Sequence, residues 1–230
     1  MKEFKEIIEK IGGNEDFFFV QIGSNDGVRS DPLYKFICKY NWSGILVEPV
    51  PYLYERLIKN HESRDNLIFK NVAISKDGGS MKFYYIKENQ NDQSDWKCGN
   101  GLGSFLKDVV TFHRNKIFDF DKNFSEMDIQ TITFDSLVEG VNNIDLLAID
   151  AEGYDYEIIK SIDFDKHQPS LILFEHKHLY QESRFKRNLS DKLREVYKYL
   201  NDRGYVCIKG KGETLAIHDN LNSDNLKQEI

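Results

Sequence analysis

The chain has 230 residues, 40% apolar and 30% charged, enough to bury a domain core and stay soluble. Its 31 basic and 38 acidic side chains leave a net charge of −7, which argues against nucleic acid as a partner, because phosphate binding leaves a basic footprint. No apolar run reaches the roughly 20 residues of a membrane span, and Cys38, Cys98 and Cys207 lack disulfide or zinc spacing, so a cytoplasmic protein is expected.

Strand and helix signals alternate along what reads as one domain over 1–230. Phe4, Ile7, Ile8 and Ile11 recur at helical spacing and predict an amphipathic helix within 1–13, ending at Gly12-Gly13. The unbroken apolar run Phe17 to Ile22 predicts a strand buried on both faces. Asp31-Pro32 caps and opens a helix with Leu33, Phe36, Ile37 and Tyr40 on one side. Gly44 to Glu48 is the next strand, Pro51 opens a helix bearing Tyr54, Leu57 and Ile58, and Leu67 to Phe69 follows as a strand. An insertion over 75–133 carries more exposed strands at Met81 to Lys87 and Gln130 to Thr133. Between them, Glu88 to Asn100 is a polar loop of a length that is usually disordered or functional.

The parallel pattern resumes at Ile144 to Asp150, followed by a helix with Tyr154, Ile158, Ile159 and Ile162 inward. Leu171 to Glu175 is another buried strand, and Leu189, Leu193, Val196, Tyr197 and Leu200 mark a helix ending near Gly204. Tyr205 to Ile208 and Thr214 to Ile217 close the chain as an antiparallel hairpin. The expected fold is α/β: a doubly wound, mostly parallel, seven-stranded sheet with a C-terminal hairpin and a small β insertion. Such sheets bind ligands at the carboxyl ends of their strands.

Four strands end in polar groups there: Gln21, Glu48, Asp150 and Glu175. Any one of them could merely mark a strand leaving the core. Three converging carboxylates, however, repel one another and call for a cation, shared protons or water. Gly23-Ser24-Asn25-Asp26-Gly27 gives the first strand a tight turn, but not the G-x-G-x-x-G turn that seats a pyrophosphate. Glu48 stands where doubly wound folds place an acid on the ribose hydroxyls. A nucleoside without phosphate but with a cationic group fits both signals.

Five ordered blocks sharpen this reading: Gln21 to Gly27, Leu46 to Pro49, Asn71 to Ile74, Gly101 to Phe105, and Ile149 to Glu157. Together they resemble the FkbM family of S-adenosylmethionine-dependent methyltransferases, with a class I Rossmann-like fold, over roughly residues 17 to 176. The resemblance implies S-adenosylmethionine as cofactor, with Gln21, Gly23, Ser24, Asn25 and Gly27 around its methionine part. It further implies Glu48 and Pro49 at the ribose, Asn71, Val72 and Ala73 at the adenine, and Ser104 near cofactor or acceptor. Two positions depart from the family pattern: Gln21 replaces a usual acid and Ala148 a frequent lysine.

Methyl transfer to oxygen needs alignment and a base. Asp150 is the candidate base, and His176, beside Glu175, is a second candidate base or ligand. A divalent metal such as magnesium, held by Asp150, Glu175 and His176, is an alternative use of the same groups. The expected acceptor is a small molecule or saccharide, a sugar or nucleotide-sugar hydroxyl in surface-glycan or natural-product biosynthesis. Tyr84, Tyr85, Trp96, Tyr154 and Tyr180 offer stacking faces for it. The rival readings are a nicotinamide-dependent sugar oxidoreductase and a non-catalytic nucleoside-binding domain.

Overall fold

The computed structural model describes residues 2–88, 101–179 and 191–222. The polar loop beyond Glu88, with Trp96 and Cys98, lies outside the described residues, as do Tyr180 and Leu189. Helix α1 (Lys2–Ile11) buries Phe4, Ile7 and Ile8, and β1 (Phe18–Ile22) follows it into the core. Next come α2 (Tyr34–Tyr40), β2 (Ser43–Val47), α3 (Pro51–Asn60) and β3 (Leu67–Lys70). The chain then builds β4 (Ala73–Ile74), β5 (Gly79–Ile86), β6 (Gly103–Ser104), α4 (Lys107–Phe112), α5 (Phe120–Asn123) and β7 (Phe124–Ile132). Short α6 (Phe134–Leu137) leads into β8 (Leu146–Ile149), α7 (Asp155–Ser161) and β9 (Leu171–Glu175). The last described elements are α8 (Asp191–Asn201), β10 (Tyr205–Lys209), β11 (Glu213–His218) and α9 (Asp219–Asn222).

The main sheet has seven strands in the order β10-β11-β9-β8-β1-β2-β3. All its neighbours are parallel except β11, which runs antiparallel to both β9 and β10. Side chains alternate across it. Val20, Ile22, Val47, Leu147, Ile149 and Phe174 pack under α7 and α8, while Phe19, Leu46, Leu146 and Leu173 pack under α1, α2 and α3. Trp42 fixes α1 to this second core by stacking on Phe17 at 4.2 Å and donating Nε1–H to the Gly12 carbonyl at 2.6 Å. Strand order reverses between β1 and β8, which opens the crevice where such sheets hold ligands.

Three local expectations shift. Helix α2 starts at Tyr34, because Asp31 Oδ1 accepts from the Leu33 and Tyr34 backbone N–H groups and so caps from further out. On α3 the inward residues are Leu53 and Leu57; Ile58 is 39% exposed, one position past the buried stripe. Strand β7 is nine residues long, well beyond Gln130 to Thr133. Its alternating polar side chains hide it as an apolar run, and antiparallel pairing with β5 sustains it in a four-stranded second sheet, β4-β7-β5-β6. No described helix is long and apolar enough to cross a membrane.

Candidate active site

A cavity of about 430 Å³ opens at the carboxyl ends of β1, β2, β8 and β9, within the usual range for small-ligand sites. Gln21, Gly23, Ser24, Asn25, Glu48, Asp150 and Glu175 all face it from the main sheet. Gly101, Leu102, Gly103 and Phe105, from the second sheet and its approach, and His113 and Ile117, after it, complete the wall.

Close approach of two strand exits shapes the floor. Gly23 has φ +81°, and a Cβ there would lie 1.9 Å from the Asp150 carbonyl oxygen. The glycine is therefore required by the neighbouring strand, whatever ligand lies above. Gly27, φ +72°, is outside the cavity wall and packs against Leu57 and His61, whose Nε2 lies 3.1 Å from the Gly27 carbonyl oxygen. Ser24 Oγ donates to the Gln21 carbonyl at 3.2 Å and closes the turn.

Glu48 is 4% exposed. Its Oε2 accepts from the Asn25 N–H at 2.8 Å and its Oε1 from the Val50 N–H at 2.9 Å. Burial lifts its pKa to about 7 despite these two donors. Pro49, Val72 and Ala73 line the wall beside it. Asn71 does not: its amide donates to the carbonyls of Glu48 and Pro49 and ties the β2 exit to β3. Ser104 is also withdrawn, fully buried, with Oγ donating to the Glu152 carbonyl at 2.8 Å and accepting from the Leu106 N–H.

Asp150 is open to the cavity yet walled in by protein, which raises its pKa to about 7, with Glu152 adding repulsion. Beside it, Glu175 is pushed to about 9 by burial and by Asp150 and Glu152. The expected need for a cation is met by Lys177. Its ammonium pairs with Glu175 and lies 3.6 Å from Glu152, whose carboxylate also takes His178 Nε2 at 2.8 Å. Burial and the neighbouring Asp150 push the pKa of fully buried Asp155 well above the usual carboxylate range, and its carboxyl accepts from the Gly153 and Glu175 N–H groups. Glu152 adopts φ +46°, a left-handed conformation that non-glycine residues keep only where surroundings impose it.

His176 is not brought to this site. It is fully buried, its Nδ1 lies 2.8 Å from Thr214 Oγ1, and burial lowers its pKa to about 4. Extended backbone sends Glu175 to the cavity and the next side chain to the opposite face. The trio Asp150, Glu175 and His176 therefore cannot chelate a metal. Among the described residues, Glu152, Glu175 and His178 do place ligand atoms within 4.8 Å of one another. Lys177 already lies on both of those carboxylates, so the donor set is answered without an ion. Residues missed in the sequence include Asp31, His113, Lys177 and Glu213, all in the cavity wall. Of these, only Lys177 had a signal, two positions past a strand-ending acid.

The chain matches the family model described as methyltransferase FkbM domain over residues 21–207. A search of curated proteins finds no significant match. Among solved structures, methyltransferase FkbM from Methylobacillus flagellatus KT is similar with TM-score 0.51 and 11% identity, covering 89% of this chain and 44% of that one. This chain thus spans less than half the length of that relative, and at such identity the likeness concerns the fold alone. The O-methyltransferase from Bacillus cereus in complex with SAH gives TM-score 0.46 and 10% identity, over 93% of this chain and 79% of that one. A ribosomal protein L11 methylase from Lactobacillus delbrueckii subsp. bulgaricus gives 0.44 and 9%, over 91% and 72%.

Proposed function

The chain belongs to the FkbM methyltransferase family, and from that premise we propose that it is an S-adenosylmethionine-dependent O-methyltransferase acting on a sugar or nucleotide-sugar hydroxyl. One observation carries the reading: Glu48 at the end of β2 and Asp150 after β8 share a single cavity at the reversal of strand order. A dinucleotide suits it poorly. No helix begins in the turn over Gly23 to Gly27, since α2 starts only at Tyr34, and a pyrophosphate would find no helix amino end.

Bound S-adenosylmethionine supplies a methyl group on a cationic sulfur. Glu48 would accept the ribose hydroxyls, with Pro49, Val72 and Ala73 as the apolar bed of the adenine. The turn over Gly23, Ser24 and Asn25 would hold the methionine part. Asp150 would be the general base, taking the proton of the acceptor hydroxyl as that oxygen replaces sulfur on the methyl carbon and the sulfur leaves as a neutral thioether. A pKa near 7 suits a base at neutral pH. A rim of carboxylates matches an acceptor rich in hydroxyl donors, and Lys177 and Arg29 in the wall temper its charge toward a nucleotide-sugar. A metal has no part in this scheme.

The test is Asp150→Asn, read by calorimetry with S-adenosylhomocysteine and NAD and by mass spectrometry of a nucleotide-sugar panel. The variant should bind S-adenosylhomocysteine as the parent does and lose turnover about 10²- to 10⁴-fold. Full activity of the variant removes the base assignment, and binding of NAD alone removes the cofactor assignment.

A further inference from the structure

Gln21 ends β1 in the cavity wall and is 5% exposed. Its amide is oriented by a neighbour ten residues on: Nε2 donates to Asp31 Oδ2 at 3.1 Å. That leaves Gln21 Oε1 buried with no hydrogen-bond partner, a condition native interiors rarely keep. Asp31 itself is half-buried in the same wall. Its Oδ1 is committed to the Leu33 and Tyr34 N–H groups at 2.6 and 3.2 Å, which fixes the carboxylate rigidly at the start of α2. Among the described residues, the Gln21 amide and those backbone donors are its hydrogen-bond partners, and Oδ2 keeps a lone pair for a further donor.

A carboxylate locked at a cavity wall beside an unmet carbonyl suits a ligand with several N–H donors on one positive centre. We infer that Asp31, oriented by Gln21, receives the α-ammonium of the methyl donor's amino-acid end. This rests on the cofactor reading proposed above. It places the anion for that ammonium on the loop before α2, where the neutral side chain at the end of β1 cannot supply it. Of the other acids of the wall, Glu48 holds the Asn25 and Val50 backbone, and Glu152 and Glu175 pair with Lys177. Burial lifts the Asp31 pKa to about 6, and an ammonium alongside would bring it back down.

The experiment is calorimetry on the full chain with S-adenosylhomocysteine and with adenosine, which lacks the amino-acid end and is titrated at millimolar concentration. Asp31→Asn keeps Oδ1 as the cap acceptor and replaces charged Oδ2 by an NH2 group, toward which the Gln21 amide can turn its own carbonyl oxygen; the swap Gln21→Glu with Asp31→Asn moves the charge across the pair. Thermal melts confirm that both variants are folded. Asp31→Asn should weaken S-adenosylhomocysteine about 10- to 100-fold, the worth of a charge-assisted hydrogen bond, and leave adenosine within about twofold. The swap should restore most of the loss. The assignment is overturned if Asp31→Asn binds S-adenosylhomocysteine like the parent, if both ligands weaken equally, or if the swap stays as weak as the single variant. A parent protein that binds neither ligand overturns the cofactor reading itself, a result distinct from all three.

Discussion

Replacing Gly23 by alanine separates two effects that glycine at a turn usually confounds. The residue sits at φ +81°, where a Cβ costs roughly 1–2 kcal/mol in any surroundings. Here the added carbon would also lie 1.9 Å from the Asp150 carbonyl oxygen, so the β1 and β8 exits must part by more than about 1 Å. Overpacking of that kind adds roughly 1–3 kcal/mol. Gly140 provides the control: it has the same φ of +81°, and nothing lies within 4 Å of its would-be Cβ. Urea denaturation should show Gly140→Ala losing about 1–2 kcal/mol and Gly23→Ala losing roughly 2–5, as midpoint shifts at unchanged slope. Gly23→Ala should also lose S-adenosylhomocysteine binding, since the displaced backbone is the cavity floor. Equal destabilisation by the two substitutions would refute the close-approach argument.

Two further outcomes follow from the charges. Glu48 ionises near 4.5 in an unfolded chain and near 7 in the fold, so over that window the folded protein holds more protons and its stability falls as pH rises. For Glu48 alone the loss is on the order of 3 kcal/mol by pH 8, with Asp150 and Glu175 acting in the same direction; a ligand-free melting temperature that is flat or rising from pH 5 to 8 would contradict it. Turnover should survive exhaustive chelation with EDTA, because Lys177 holds the position a cation would take between Glu152 and Glu175; loss of activity that magnesium restores would reverse that conclusion.

The buried strands were legible because both of their faces are covered. Runs such as Leu146 to Ile149 carry no polar residue that could suggest any other fate, and their ends mark the rim. Strand β7 was not legible over its full length, since its stability comes from cross-strand pairing with β5, which no local pattern reports. Which histidine reaches the acids depends on where the extended backbone stops. Alternation holds only while the backbone is extended, and a 3-10 turn over Lys177–Leu179 ends it at once. Lys177 and His178 consequently both reach the acids, while His176 is left in the core against Thr214. Asn71 and Ser104 show another limit: a polar residue in a motif can hold a neighbouring carbonyl as well as a ligand, and the motif alone does not say which.

The carboxylate rim resolves into two halves with different means of bearing its charge. On the β9 side, the Lys177 ammonium lies against both Glu152 and Glu175, and His178 Nε2 meets the same two carboxylates, so the protein itself answers that charge. On the β1 and β2 side, Asp31 and Glu48 have, among the described residues, only neutral donors as hydrogen-bond partners, and burial raises both. A positive ligand favours the ionised form of a buried carboxylate that has no cation beside it, whereas Glu175 already has Lys177 against it. Under the function proposed above, the uncompensated half would take the cationic donor and the compensated half the neutral, hydroxylated acceptor. Asp150, raised to about 7 by burial and by Glu152, shares the cavity with both halves and adds to the rise at Glu48. Under the same proposal, a base there would reach an acceptor oxygen without drawing on Asp31, the carboxylate assigned to the donor's ammonium.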